Sequence, residues 1–173
     1  MTDKEKLYQT LLATADISLL KKYSEDPNWV IRAAVALNPN TPPEDLVWLS
    51  YDVTLVRANV AKNPNVPLNT ILRLAKDDNP SVRFSTASNP NIPPEVLTQL
   101  AEDPDSMVRH CVGSNPNTPT KVLEKLAQDD LWWVREGVTK NPNAPSEVLQ
   151  KLTQDSSWWV RYWAGQTLTR RVK

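Results

Sequence analysis

Apolar positions along the chain recur in two alternating registers. One is an i, i+3 pair: Leu46/Leu49, Ile71/Leu74, Leu97/Leu100, Leu123/Leu126 and Leu149/Leu152. Such a pair marks one face of a helix. The other register centres on an arginine. An apolar residue precedes it in every copy, as Ile31, Val56, Val82, Val108, Val134 and Val160 stand before Arg32, Arg57, Arg83, Arg109, Arg135 and Arg161. Three and four residues after the arginine come Val35/Ala36, Val60/Ala61, Thr86/Ala87, Val112/Gly113, Val138/Thr139 and Ala164/Gly165. Apolar or small residues at −1, +3 and +4 mark the buried side of a second helix packed closely on its neighbours.

Asn-Pro-Asn punctuates the pattern at residues 38, 63, 89, 115 and 141, giving intervals of 25, 26, 26 and 26. A fixed period of this size predicts an all-α solenoid of about six two-helix repeats, HEAT-like in appearance. The second helix, which begins after an Asp, is expected to be the shorter. Pro42, Pro67, Pro93, Pro119 and Pro145 fall in the first turn of the first helix, where a missing N–H is no loss. The Asn117 type reads as the cap of that helix, and Thr41-Pro-Pro-Glu44 also reads as a capping box. Residues 1–13 are expected to form an N-terminal capping segment, 14–166 the repeats and 167–173 a C-terminal cap or tail. The first copy is degenerate. Leu19, Leu20 and Tyr23 keep the places of Val122, Leu123 and Leu126, but Thr14 to Ser18 replace the Asn-Pro-Asn segment. At the other end, Thr167 to Arg171 stand where it should return.

The combined pattern NPNxPxxVLxxLAxDxxxxVRxxVAxNPN, clearest from Asn89 to Asn143, resembles the bacterial leucine-rich repeat variant family. The resemblance covers about residues 17 to 166. It implies a right-handed superhelix of alternating α and 3₁₀ helices. Some family members join these repeats to a cysteine-rich iron–sulfur segment, which nothing here matches, so no cofactor carries over. The family has no general activity to transfer, and function must be read from particular residues.

Composition narrows the choice. Lys+Arg and Asp+Glu are equal at 20 each, giving no global reason for a polyanion or membrane-surface partner. One cysteine, Cys111, excludes an internal disulfide and a cysteine-based metal site. No run approaches membrane-spanning length, and the N-terminus lacks a signal-peptide pattern, so a cytoplasmic protein is expected.

Little chemistry is written in the repeats. The arginines pair by position with Asp26, Asp52, Asp77, Asp103, Asp129 and Asp155, which predicts an internal ion-pair ladder rather than a row of phosphate contacts. The asparagines are expected to satisfy turn and helix-end backbone groups. His110 and Cys111 are adjacent on a helix and so point about 100° apart, which excludes them as a nucleophile and base. The protein therefore reads as non-enzymatic, with no metal site.

Function is expected where the repeats differ. Positions −2, +1, +2 and +5 of the second helix are predicted to face outward, and there the chain places Phe84, Met107, Trp133, Trp159, Tyr162 and Trp163 as candidate partner-binding residues. Trp29, Trp132 and Trp158, at −3, are assigned to packing. The outward aromatics either bind a protein or peptide partner or seal the end of the solenoid. The alternatives to a protein-binding scaffold are a structural spacer or homo-oligomer, and a nucleic-acid binder akin to helical-repeat DNA glycosylases. The last would use Arg135, Arg161, Arg170, Arg171 and Lys173 beside the aromatics, against a net charge of zero.

Overall fold

Short helices of seven to nine residues are marginal alone, so each must be held by its neighbours. The computed structural model describes residues 2–171, all of whose regular structure is α-helical. They form two compact units. Unit one, Met1–Asn89, holds α1 (Asp3–Ala13), α2 (Ile17–Ser24), α3 (Trp29–Leu37), α4 (Pro43–Leu49), α5 (Thr54–Lys62), α6 (Leu68–Leu74) and α7 (Pro80–Ala87). Unit two, Pro90–Lys173, holds α8 (Pro94–Leu100), α9 (Ser106–Ser114), α10 (Thr120–Leu126), α11 (Trp132–Lys140), α12 (Ser146–Leu152) and α13 (Trp158–Arg171).

Within each unit the second helices lie side by side. α1, α3, α5 and α7 follow one another in unit one, and α9, α11 and α13 in unit two. The first helices pack against them as a second layer. Leu46, Leu74, Leu97, Leu123 and Leu149 are fully buried, as are Val56, Val82, Val108, Val134 and Val160 on the facing layer. Both members of each repeat are α-helical. The 3₁₀ character implied by the family resemblance is confined to i→i+3 bonds at helix ends, such as Lys76 N–H to the Arg73 carbonyl at 2.9 Å.

Two local expectations are corrected. The second helices are the longer members, nine residues in α3, α5, α9 and α11 against seven in α4, α6, α8, α10 and α12. The first helices are also not capped by asparagine or a capping box. Pro42, Pro67, Pro93, Pro119 and Pro145 are themselves the N-cap residues, and no side chain caps the helix. Their fixed φ sets the entry to the helix. Thr41 instead donates from Oγ1 to the Val35 carbonyl of the preceding helix, at 2.5 Å.

The asparagines serve the repeat behind them. Nδ2 of Asn63 donates to the Ala36 and Asn38 carbonyls at 2.9 and 2.8 Å, and Nδ2 of Asn141 to those of Gly113 and Asn115 at 2.9 and 2.5 Å. Each side chain also accepts, at Oδ1, the N–H two residues on, as Asn63 does from Asn65 at 2.8 Å. The second asparagine of the motif donates to the preceding proline carbonyl, Asn65 to Pro39 at 2.5 Å and Asn143 to Pro116 at 2.8 Å. Carbonyls left over at a second helix's C-terminus and in its turn are thus satisfied by the following repeat. In the degenerate first copy, the Leu11 and Thr14 carbonyls take the same bonds from Asn38.

After α12 the ladder is served differently. α13 runs on for 14 residues. Thr167 Oγ1 donates to the Thr139 carbonyl at 2.7 Å, and the Arg171 guanidinium donates to the carbonyls of Asn141, Pro142 and Ala144. Val172 and Lys173, the end of the expected C-terminal tail, lie outside the described residues.

Asn63→Ala would strand two buried carbonyls, so thermal unfolding should show a loss of about 3 kcal/mol. Asp45 supplies the opposite test. It stands in the register of the buried Val96, Val122 and Val148, its Oδ2 has no partner among the described residues, and burial pushes its carboxyl above the usual range. An acid whose folded pKa is raised loses stability as pH rises through that value. Asp45→Val should therefore stabilise the protein by about 1 kcal/mol at neutral pH, with the gain shrinking as wild type is taken into acid.

Candidate interaction surface

An arginine at the edge of a core stays charged, and fixed partners must offset its loss of water. Four of the ladder arginines, Arg32, Arg57, Arg109 and Arg135, use two edges of the guanidinium. Nη1 of Arg109 donates to the Asp103 carbonyl six residues earlier at 2.8 Å, while Nε and Nη2 grip the Asp129 carboxylate twenty residues later at 2.8 and 3.3 Å. Arg32 with Asp52, Arg57 with Asp77 and Arg135 with Asp155 repeat the arrangement, with Nε–Oδ2 distances of 2.5, 2.7 and 2.7 Å. The aspartate six residues upstream, or five for Arg57, thus contributes its carbonyl, and the carboxylate comes from the next repeat. The Arg32 guanidinium and a backbone N–H hold Asp52 below the usual carboxylate range against burial. Burial alone would raise Asp77, Asp129 and Asp155, but their arginines and backbone N–H donors outweigh it and lower them too. Four guanidiniums of the series are therefore occupied internally.

Exposure along the second helices divides differently from the sequence expectation. Positions −2 and +5 do reach solvent, as at Val30, Leu55, Met107, Leu37, Lys62 and Lys140. Positions +1 and +2 are mostly covered before α13: Ala33, Ala34, Ala58, Ser85, Cys111, Glu136 and Gly137 are buried, whereas Tyr162 at +1 of α13 is exposed. An interior second helix is covered by the first-helix layer and also by a second helix on each flank, so only a narrow strip remains. The flanking contact is close. A Cβ on Gly137 would meet the His110 carbonyl oxygen at 2.5 Å, and Asn59, in the same register, donates from Nδ2 to the Ala33 carbonyl at 3.0 Å.

The tryptophans assigned to packing are the exposed ones. Trp29, Trp132 and Trp158 are 43%, 43% and 63% exposed, whereas Trp133 and Trp159 are half-buried. On α13 the rings gather into one cluster. Trp159 lies 6.2 Å from Tyr162 in a stacked arrangement and meets Trp158 and Trp163 edge-on at 4.9 and 6.0 Å. Tyr162 and Trp163 are in edge contact at 5.5 Å, and on α11 Trp132 and Trp133 are 5.8 Å apart. Tyr162 is 50% exposed, Trp163 is half-buried with no partner for its indole N–H among the described residues, and Lys140 lies 5.9 Å from the Trp163 ring. Of the six candidate residues, the structure brings Trp159, Tyr162 and Trp163 together. Trp133 pairs with Trp132, Met107 is exposed on α9, and Phe84 is half-buried in unit one.

The family model for leucine-rich repeat variants matches residues 29–53 and 80–105. A solved structure described as a leucine-rich repeat variant with a novel repetitive protein structural motif is similar at a TM-score of 0.66 and 25% identity, covering 96% of this chain and 67% of that one. Residues 29–53 and 80–105 are thus similar to leucine-rich repeat variants, and the fold of the chain to that of the solved variant. No curated protein matches the chain.

Two further features of the chain bear on chemistry. His110 Nδ1 donates to the Trp133 carbonyl at 2.6 Å and lies 3.7 Å from the buried Glu136 carboxylate, which Lys140 also pairs at 2.6 Å. The histidine therefore bridges α9 to α11. In unit one, Trp48 is 78% and Tyr51 67% exposed, and the Arg73 guanidinium stacks 4.0 Å above the Tyr51 ring while bonding Ser50. This patch lies on a first helix and the turn after it, away from the outward positions of the second helices. The first-helix register held a signal, since Trp48 stands where Arg73, Gln99, Lys125 and Lys151 stand elsewhere. Among the described residues no helix is long and apolar enough to cross a membrane.

The ladder carboxylates are depressed, so their contribution is present above the ordinary aspartate pKa of about 3.9 and lost as pH falls through the lower folded value. Asp129→Asn should cost about 2 kcal/mol at neutral pH, between the values for exposed and buried pairs. In an acid titration of stability, that gap from wild type should close below about pH 4.

Proposed function

We propose that the chain is a non-enzymatic, cytoplasmic helical-repeat scaffold that binds a protein or peptide partner through the aromatic surface of α11 and α13. The observation that carries this is the exposure of Trp132, Trp158 and Tyr162 around the clustered rings of Trp159 and Trp163. Tryptophan and tyrosine anchors of this kind dominate protein interfaces, where each large ring contributes about 150–250 Å² of buried area. Rings that served only to seal the end of the repeats would be buried by their own chain, and Trp158 is 63% exposed. The pairing of Arg32, Arg57, Arg109 and Arg135 with aspartates supports a protein partner over a phosphate backbone. So does the binding of Arg171 to turn carbonyls.

Tagged protein used as bait in its native lysate, with and without nuclease, tests the reading against Trp158→Ala and Tyr162→Ala. A nuclease-resistant partner should be retained by wild type, and each variant should weaken it by about 2 kcal/mol, some thirtyfold. Thermal stability of these surface variants should stay within about 0.5 kcal/mol of wild type. Capture that disappears with nuclease, or equal capture by all three proteins, would refute the proposal.

A further inference from the structure

Within unit two the ladder offers its own control for one residue. Arg109 and Arg135 anchor Nη1 on carbonyls of the preceding turn, Asp103 and Pro104 for one, Asp129 and Asp130 for the other. The opposite edge, Nε with Nη2, then holds the carboxylate of Asp129 or Asp155. Arg161 has the same anchor, Nη1 donating to the Asp155 and Ser156 carbonyls at 2.6 and 2.9 Å. Among the described residues no carboxylate meets its other edge, and its side chain is exposed. The helix continues from Arg161 to Arg171 without the turn and first helix that carry Asp129 and Asp155 to their arginines.

The guanidinium is therefore held in the orientation that grips a carboxylate in the repeats before it. Trp158 stands three residues earlier on the same helix face. Its exposure, 63%, exceeds the 43% of Trp132, which holds the same place beside Arg135. A planar two-donor edge beside an exposed indole fits an acidic side chain with an apolar neighbour.

We propose that Arg161 and Trp158 recognise an aspartate or glutamate of a protein partner, whose carboxylate takes the bidentate place that the next repeat's aspartate takes on Arg135. This deepens the proposed partner-binding role and rests on it. The occupant is an acidic, partly apolar peptide segment.

Selection of a random peptide display library on the full chain, followed by affinity measurements on synthetic copies of the selected peptides, tests this. Selected peptides should share an Asp or Glu beside an aromatic or aliphatic residue. Changing that acid to its amide, which leaves the protein untouched, should weaken binding roughly ten- to a hundredfold. Arg161→Gln should lose the same factor for the acidic peptide and nothing further for the amide peptide, and Arg161→Lys should lose part of it. Peptides that need Trp158 yet bind unchanged after the amide swap and in Arg161→Gln would overturn the carboxylate site and leave the partner-binding reading standing. Failure to select any peptide that discriminates against Trp158→Ala overturns the proposal, while partner capture from lysate separately decides the broader reading. Self-association of the chain that Arg161→Gln abolishes would assign the place to a second copy and also overturn it.

Discussion

The constraint behind this architecture is that short helices end often, and every end leaves backbone carbonyls to satisfy. No helix here can satisfy its own last turn. The asparagine of each following repeat does it, with both N–H groups of Asn63 or Asn141 placed on carbonyls 25 to 28 residues earlier. Burial then strengthens the bonds, since water cannot compete, and makes an error costly. This is why the motif is Asn-Pro-Asn rather than any polar turn. An aspartate would offer no N–H, and a serine only one donor.

The arginine ladder solves a second problem with the same logic. A guanidinium has enough donors to close the turn before it and still hold a carboxylate from the turn ahead. Its two edges tie three consecutive segments, so pairing and register are set together. Bidentate geometry rejects a slip of one residue, which would move the aspartate off the fork. Hydrophobic pairs such as Leu123/Leu126 supply most of the burial, but they would tolerate sliding that these polar contacts do not.

Much of this was legible in the sequence because it repeats. The i, i+3 leucines, the valine before each arginine and the asparagine spacing gave the fold class, the two helices and an Asp–Arg ladder, but paired each arginine with the aspartate upstream, whereas its carboxylate partner comes from the next repeat. What failed were statements about direction. The first-helix cap was misplaced because Asn117 sits near a helix start in sequence, while its amide reaches back to the Pro90 carbonyl. The outward positions were drawn from a helix with one buried face, whereas a helix inside a row is buried on both flanks as well. Gly137 held the clue, since a glycine in mid-helix costs about 1 kcal/mol and calls for a close neighbour. Its neighbour is the backbone of α9.

The same cause inverts the expected exposure of the tryptophans. A residue at −3 begins the second helix, beyond the flanking contacts, so Trp158 projects while Trp159 turns under it. The half-buried ring of Trp159 is then the base on which Tyr162, Trp163 and Trp158 are held at 4.9 to 6.2 Å. Rings fixed by one another lose little freedom on binding, which is what makes an aromatic cluster an effective contact surface. The repeats thus divide the labour by position. Residues that recur hold one helix to the next, and the aromatic residues of α13 stand where neighbouring helices leave them partly uncovered.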